Sequence, residues 1–505
     1  MSLQVIVYKN QYQDSVRLMT ISREAAKLDG VSKVLALLGT DSNKKVVSDL
    51  GLCDAAVDAA TASDLMVCIE AENEAAAAAA LAAVNDKLKS VSTAGTAEEA
   101  IKPATLEEAA DKLDNANFAM ISLPGPMAKL DCIAALERGL NVMLFSDNIS
   151  IEDEIELKNK AIAHDLLLMG PDCGTAIIGG VPLALANVVR RGDIGIVAAS
   201  GTGIQEVTSL IDRFGGGITH AVGVGGRDLR KQIGGLMMRF GIKKLAATEG
   251  NKTLLLLSKP GDPAVMNAVL DEARATGLRT VTCLLGGHAD ELNTEGITFV
   301  NNLEAAAFAA LNQPVPSLEL PAELHTRLKA LSPKRQYMRG LFSGGTLCYE
   351  TLILLDSIMD IESNVALRKE LKLEAPCKGT KHCCVDLGED EFTQGRPHPI
   401  IDTVLRGERL ADDMCDPTVK VIMMDIVIGY GADRDPAGKF AAIINEIRAT
   451  LPDGGPIIVA HVCGTDGDPQ SMTEQEAKLR QAGVFLFPTN AQAARAAGEI
   501  VRYVS

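Results

Sequence analysis

Strand-like and helix-like segments alternate from end to end of this chain, which predicts an α/β protein of several three-layer units with mostly parallel sheets. Three observations carry that expectation. Short apolar runs such as LQVIVY, FAMISL and GIVAA are each followed by a stretch of helical spacing. The 505-residue length exceeds what one core holds, so about three or four domains are expected. Apolar residues make up 47% and charged residues 23%, the balance of a globular protein, while aromatics are 3% and Trp is absent. The cores must therefore be built from Ala, Val, Leu, Ile and Met.

Residues 1–92 read as a small N-terminal α/β domain, with strands at 3–8, 33–38 and 64–69 and helices at 13–28 and 72–88. The second helix contains the run AAAAAALAA, a strong helix former whose Ala face suits close packing on a sheet. A polar stretch beginning at Lys89 separates it from a second unit, 115–190. Strands at 117–122, 141–145 and 165–169 alternate there with helices at 124–138 and 150–163, ending in the turn 170–174. The third unit, 192–312, has strands at 194–199, 218–224, 253–258 and 279–285. Four prolines then mark 313–334 as a linker. The fourth unit, 335–505, has strands at 338–342, 419–426, 456–461 and 484–487. The third and fourth units share a layout, as expected of a duplicated domain type.

The formal net charge of −17 argues against nucleic-acid and anionic-membrane partners. No apolar run approaches the roughly 20 residues that span a bilayer, and the first residues lack the pattern of a signal peptide. Eleven Cys scattered among strand-like segments suit reduced, buried thiols. A cytoplasmic protein is the expectation.

Two segments share one pattern of strand, Ser-Gly loop and helix. In the first, Ser200, Gly201, Thr202 and Gly203 follow GIVAA; in the second, Ser343, Gly344, Gly345 and Thr346 follow RGLF. Each offers backbone N–H groups and a helix dipole to an anion, although a tight turn accounts for the same residues. The next strand of the third unit ends in Gly223-Val-Gly-Gly-Arg-Asp228, so Gly225 and Gly226 permit close backbone approach and Arg227 can grip an anion. In the fourth unit Gly429 and Gly431 follow a strand, and His461-Val-Cys-Gly464 repeats the theme, with helix capping as the alternative. Between them 385–402 reads as an irregular loop carrying Asp386, Arg396, His398 and Asp402. Arg396 is a candidate anion ligand, and His398 a candidate acid or base. Cys377, His382, Cys383 and Cys384 do not have zinc spacing, and no metal is expected. No phosphate-binding lysine loop or dinucleotide fingerprint occurs.

These motifs resemble the succinyl-CoA synthetase superfamily and, over nearly the whole chain, its FdrA family. The resemblance rests on YQDSVRLMTISR, FSDNISIEDEIELK, MGPDCGTAII, SGTGIQE, GITHAVGVGGRDL, FSGGTL, GRPHPIID and GTDGDPQ. It implies a Rossmann-like, CoA-binding-type domain and two flavodoxin-like ligase domains, the first like the synthetase α subunit and the second like the β subunit. It also implies two helices whose N-termini face a phosphate, opening at 200–203 and at Gly429 and Gly431. Three synthetase features are missing. No Gly-rich βα turn precedes residue 115, there is no ATP-grasp domain, and Gly287-His-Ala-Asp290 stands where a Gly-His-Ala-Gly-Ala loop carries the phosphorylated histidine.

What the resemblance then implies is carbamoyl transfer to or from phosphate, of the oxamate carbamoyltransferase type, in purine and allantoin breakdown. Phosphate would be a co-substrate, Arg227 and Arg396 would hold the small acyl or carbamoyl substrate, and His398 or His220 would handle the proton. Partner subunits of a larger complex and a homo-oligomer are expected. The alternatives are an acyl-CoA ligase component, with CoA as ligand and a separate ATP-grasp chain, and a non-catalytic scaffold.

Overall fold

The computed structural model describes all residues except 1, 12, 14, 53, 90–102, 104, 374–378, 394–395 and 504–505. The polar stretch after Lys89 and Cys377 therefore lie largely or wholly outside the described residues. The chain divides into two units, Met1–Lys102 with Glu389–His398, and Pro103–Gly388 with Pro399–Ser505.

In the first unit β1 (Ser2–Tyr8), β2 (Val31–Leu38) and β3 (Leu65–Ala71) form a sheet of order β1-β3-β2. Both pairings are antiparallel, against the expectation of mostly parallel strands. The reason is legible in the packing. One face of β3 packs on the helices Ser15–Ala25 and Glu74–Lys89, through Leu18, Ala77, Ala80 and Val84, and the other on Val47, Leu52 and Val57. A strand buried on both faces reads as a continuous apolar run whichever way its neighbours point. The Ala-rich helix packs on the sheet as its composition suggests.

The second unit holds three sheets. The small one is β4 (Phe118–Ile121), β5 (Asn141–Leu144) and β6 (Leu168–Met169), all parallel. The next contains β7 (Thr175–Ile178), β8 (Val181–Ala184), β9 (Arg191–Ala198), β10 (Ile218–Gly223), β11 (Thr253–Ser258), β12 (Arg279–Leu284) and β13 (Thr298–Val300). Its order is β13-β12-β11-β9-β10-β7-β8, parallel from β13 to β10, with β7 and β8 as an antiparallel hairpin at one edge. The hairpin lies inside 115–190 in sequence but completes the following sheet. The third sheet is β14 (Tyr337–Phe342), β15 (Glu362–Ser363), β16 (Cys383–Asp386), β17 (Val419–Val427), β18 (Ile457–Cys463) and β19 (Phe485–Leu486). It is wholly parallel, in the order β15-β16-β14-β17-β18-β19.

One apolar cluster runs through the last two sheets, from Ile196 and Leu255 to Phe342 and Val421. The segment 313–334 is not a bare linker: its helix Ala322–Lys329 buries Leu324 and Leu328 in that cluster. The expected irregular loop 385–402 likewise begins in β16, which buries Cys383 and Cys384, and holds the short helix Asp390–Thr393. Among the described residues no helix is long and apolar enough to cross a membrane.

Candidate functional site

A cavity of about 470 Å³ opens at the carboxyl ends of β9, β10 and β11. The chain leaves β9 for β10 on one side and then returns to β11 on the other, so the strand order reverses there. Open α/β sheets bind ligands at such reversals. Ala198, Ala199, Ser200 and Gly201 form one wall, and Gly223, Gly225 and Gly226 another. Ser200 is extended (φ −158°) and caps the helix Gly201–Arg213, its Oγ accepting from the Gly203 N–H at 3.1 Å. Gly225 has φ +83°, and a Cβ there would overlap the Pro171 carbonyl. A Cβ on Gly226 would meet nothing within 4 Å, so its backbone is bare to the cavity. The N–H groups of Gly201 and Gly226 have no partner among the described residues. An anion at this helix end would meet bare amides and the positive end of the dipole.

The remaining walls supply side chains. Ser258, Lys259 and Asp262 come from the end of β11 and its loop, Arg230 from the loop after β10, and Thr346 from the second Ser-Gly loop. Asp262 is committed to capping the helix Pro263–Ala275. Cys173 also lines the cavity, but burial pushes its thiol up to about 12, which makes it a poor nucleophile. No histidine is among the lining residues.

The second Ser-Gly loop is built differently. The carboxylate of Asp425, on β17, accepts from Ser343 N at 2.9 Å and Gly344 N at 2.7 Å. The buried Arg406 guanidinium pairs with the same carboxylate at 2.9 Å and donates to the Leu341 carbonyl at 3.0 Å. An internal anion thus fills this helix end. The two loops nevertheless meet: Ser200 Oγ lies 2.6 Å from Thr346 Oγ1, and Thr346 N donates to Thr202 Oγ1 at 3.4 Å. This corrects the expected pairing with Gly429 and Gly431. Those glycines are followed by a turn, and the helix Pro436–Arg448 opens only after the Asp435 cap. A Cβ on Gly429 would overlap the Ala186 carbonyl, and one on Gly431 the Leu185 side chain, so both serve chain packing.

Behind the paired loops both helices carry Gly-Thr-x-x-x-Glu, as Gly201 to Glu206 and Gly345 to Glu350. The repeat stands in the sequence and marks the two glutamates as counterparts. Asn490 joins the two acids: its N–H donates to Glu206 at 3.2 Å and its Nδ2 to Glu350 at 2.8 Å. Glu206 also meets His461 Nε2 at 2.7 Å, while His461 Nδ1 lies 3.1 Å from the Phe487 carbonyl. Burial alone would raise the Glu206 carboxyl and lower the imidazole, but their mutual charge and hydrogen bond win and shift both the other way. Glu350 has no such cation, and burial pushes its carboxyl up to about 7.

Arg227 and His220, also expected from the sequence, are not among the residues that line the cavity. Arg227 is committed elsewhere: its Nη2 lies 2.8 Å from buried Glu154 Oε2 and donates to the Ile149 carbonyl at 2.9 Å. That charge contact extends the buried cluster of Lys158, Glu154 and Asp228. Arg230 lines the cavity in its place, three residues on, a distinction that Arg-Asp-Leu-Arg does not reveal by itself. His220 sits within β10, not among the lining residues, and burial and the nearby Arg191 hold its imidazole below the ordinary value. Arg396 and His398 fall in Glu389–His398, which groups with the N-terminal unit rather than with the unit that carries the cavity. His288 is exposed and opens the short turn Ala289–Glu291.

Two α/β sheets with paired Ser-Gly helix ends are accompanied by a match of residues 341–500 to the CoA-ligase family, which defines a protein of the succinyl-CoA synthetase-like superfamily. Within it, the chain belongs to the same family as the uncharacterized protein YahF of Escherichia coli (strain K12), with 40% identity over 512 aligned positions and 99% of each chain covered. It is also 28% identical over 183 residues to the succinate–CoA ligase [ADP-forming] subunit alpha-2, mitochondrial, of Trichomonas vaginalis, covering 35% of this chain and 58% of that relative. Among solved structures, the dinucleotide forming acetyl-coenzyme A synthetase 1 of Ca. Korarchaeum cryptofilum overlays with a TM-score of 0.32 and 14% identity, over 77% of this chain and 83% of that one. Residues 1–103 match a family described as "AllF, heavy metal-associated domain". Among the described residues of that region Cys68 is buried on β3, and no group of three or more His, Cys, Asp or Glu is placed to hold an ion.

Proposed function

We propose that this chain is an acyltransferase of the FdrA type that passes a carbamoyl group between a small acid and phosphate, as in oxamate carbamoyltransfer during purine and allantoin breakdown, in a complex with partner subunits. The observation that carries this reading is the cavity beside Ser200, with bare amides at Gly201 and Gly226 and no histidine on its wall. A phosphate held there has no imidazole to phosphorylate and must meet the acyl donor directly. With oxalurate as donor, an oxygen of hydrogen phosphate attacks the carbamoyl carbon and the bond to the oxamate nitrogen breaks. The phosphate's own proton passes to that nitrogen, giving oxamate and carbamoyl phosphate. The step balances without a histidine, so neither His220 nor His398 is required. The amides would stabilise charge on the phosphate and the tetrahedral adduct.

The test is turnover of oxalurate by the purified chain, alone and with the products of neighbouring genes, read as carbamoyl phosphate. Phosphate-dependent turnover is expected; turnover that requires CoA and nucleotide instead would sink the proposal. That result belongs to a second reading, favoured by the CoA-ligase match over 341–500, in which the chain is a CoA ligase component served by a separate ATP-grasp chain. Against it, the loop after β4 offers a CoA phosphate no bare glycine: a Cβ on Gly125 would fall on the Asp147 and Asn148 backbone.

A further inference from the structure

The cavity's polar groups divide into those already committed and those left open. Thr175 Oγ1 donates to the Leu185 carbonyl at 2.7 Å, Ser200 and Thr346 bond to each other, and Asp262 caps its helix. Three lining groups remain open. Ser258 is 5% exposed, lines the cavity and has no side-chain partner among the described residues. With the residue buried and its hydroxyl on the cavity wall, a ligand in the cavity is the partner that hydroxyl can take. Arg230 is exposed, with its guanidinium unpaired among the described residues. Lys259 Nζ lies 4.7 Å from the centre of the Tyr349 ring, a contact that fixes a cation without neutralising it. Among the described lining residues the carboxylates are Asp262 and the exposed Asp172. Arg230 and Lys259 bring side-chain cations while Gly201 and Gly226 bring bare backbone amides, so the cavity offers two kinds of anion partner.

We infer that the cavity is a two-anion site, in which the Gly201 helix end holds phosphate while Arg230, Lys259 and Ser258 hold the carboxylate of a small acid substrate. The inference rests on the phosphate-dependent reading above and adds the residues that select the acid. A planar guanidinium and a hydroxyl suit a carboxylate directly beside the transferred group, and an uncharged analogue would leave both cations unneutralised. Arg230, not Arg227, is then the substrate-binding arginine of the loop after β10.

The experiment is calorimetric titration of the full chain with inorganic phosphate, with oxamate, and with oxamide as the carboxylate-free analogue. Oxamate is expected to bind at least about tenfold more tightly than oxamide. Arg230→Gln and Lys259→Gln should each weaken oxamate roughly tenfold or more while phosphate affinity stays within about threefold, and Ser258→Ala should have a smaller effect of the same kind. In turnover, Arg230→Gln should raise KM for the acid and leave KM for phosphate nearly unchanged. No oxamate binding by the unaltered chain, equal binding of oxamate and oxamide, unchanged oxamate affinity in both cation variants, or parallel loss of phosphate and oxamate would each overturn the inference. Absence of phosphate binding alone counts against the phosphate-dependent reading, and the oxamate arm still decides this one.

Discussion

The Ser200 and Ser343 loops are written in nearly the same letters and end differently. Both leave a parallel strand where the order of its sheet reverses, both open a helix with Gly-Thr, and both helices place a glutamate four residues beyond that threonine. Around Ser200 the adjacent strand β10 ends in glycines that expose their backbone to a cavity. Around Ser343 the adjacent strand β17 supplies Asp425, with Arg406 behind it, and β16 supplies Asp386, whose carboxylate lies where a Gly345 Cβ would fall. An anion-friendly helix end is a property of the backbone; whether it becomes a site depends on what the neighbouring strands bring. One loop is open for binding, and its twin is closed by a carboxylate of the chain itself.

The strongest way to break this comparison is to empty the closed loop. Asp425→Ala leaves Arg406 as an unpaired buried charge and removes the acceptor of the Ser343 and Gly344 N–H groups. Losing one partner of a buried pair costs about 3–5 kcal/mol, so chemical denaturation should show a loss of that order. A change under about 1 kcal/mol would mean that the pair does not hold the loop.

The twin glutamates extend the contrast to pH. Glu350 has its carboxyl raised to about 7 by burial, against an ordinary value of 4.5. The folded state therefore binds this proton more tightly than the unfolded chain, and stability falls as pH rises through that window. His461 acts in the same direction: with its value raised, its contribution is complete below 6.5 and is lost as pH climbs through the raised folded value. Glu206, held below its ordinary value, loses its contribution only under acid conditions. Unfolding free energy should thus decrease from pH 5 to pH 8 by up to about 3 kcal/mol, and Glu350→Gln should flatten the slope. A slope unaltered by that substitution would assign it elsewhere.

The parallel strands of the two larger sheets were legible because they are apolar runs ending in glycine, serine or threonine, and those endings mark the carboxyl edge. Pairing direction in the N-terminal unit was not legible, since β3 is buried on both faces and carries no alternation. At the site, the loop at Ser200 could be read from its residues, but the state of its twin could not. Asp425 lies 82 positions from Ser343 and looks like any acid inside a strand. Arg227 and Arg230 pose the same difficulty, because only the buried cluster at Glu154 shows which of them is already paired.

Within the open loop, two consecutive glycines should respond in opposite ways. Gly225→Ala forces a side chain into left-handed backbone and onto the Pro171 carbonyl, which should cost about 1–3 kcal/mol and disturb the cavity. Gly226→Ala adds a methyl group to open space, so it should change stability by under about 0.5 kcal/mol while obstructing the bare amide. Denaturation paired with phosphate titration separates them. If Gly226→Ala leaves phosphate binding intact, this backbone is not the contact.

The smallest stability effects carry the sharpest contrast. Ser200→Ala removes the hydroxyl that accepts from Gly203 N and bonds Thr346, at a cost of about 1 kcal/mol for a lost cap. Ser343→Ala removes one of several donors around the Asp425 carboxylate, and its cost should also be about 1 kcal/mol. Denaturation alone would not distinguish the two. Phosphate titration should: Ser200→Ala alters the wall of the open cavity and should weaken binding severalfold, whereas Ser343→Ala acts on a helix end already filled from within. Equal loss of phosphate affinity in both would show that the second loop also contributes to the anion site despite Asp425.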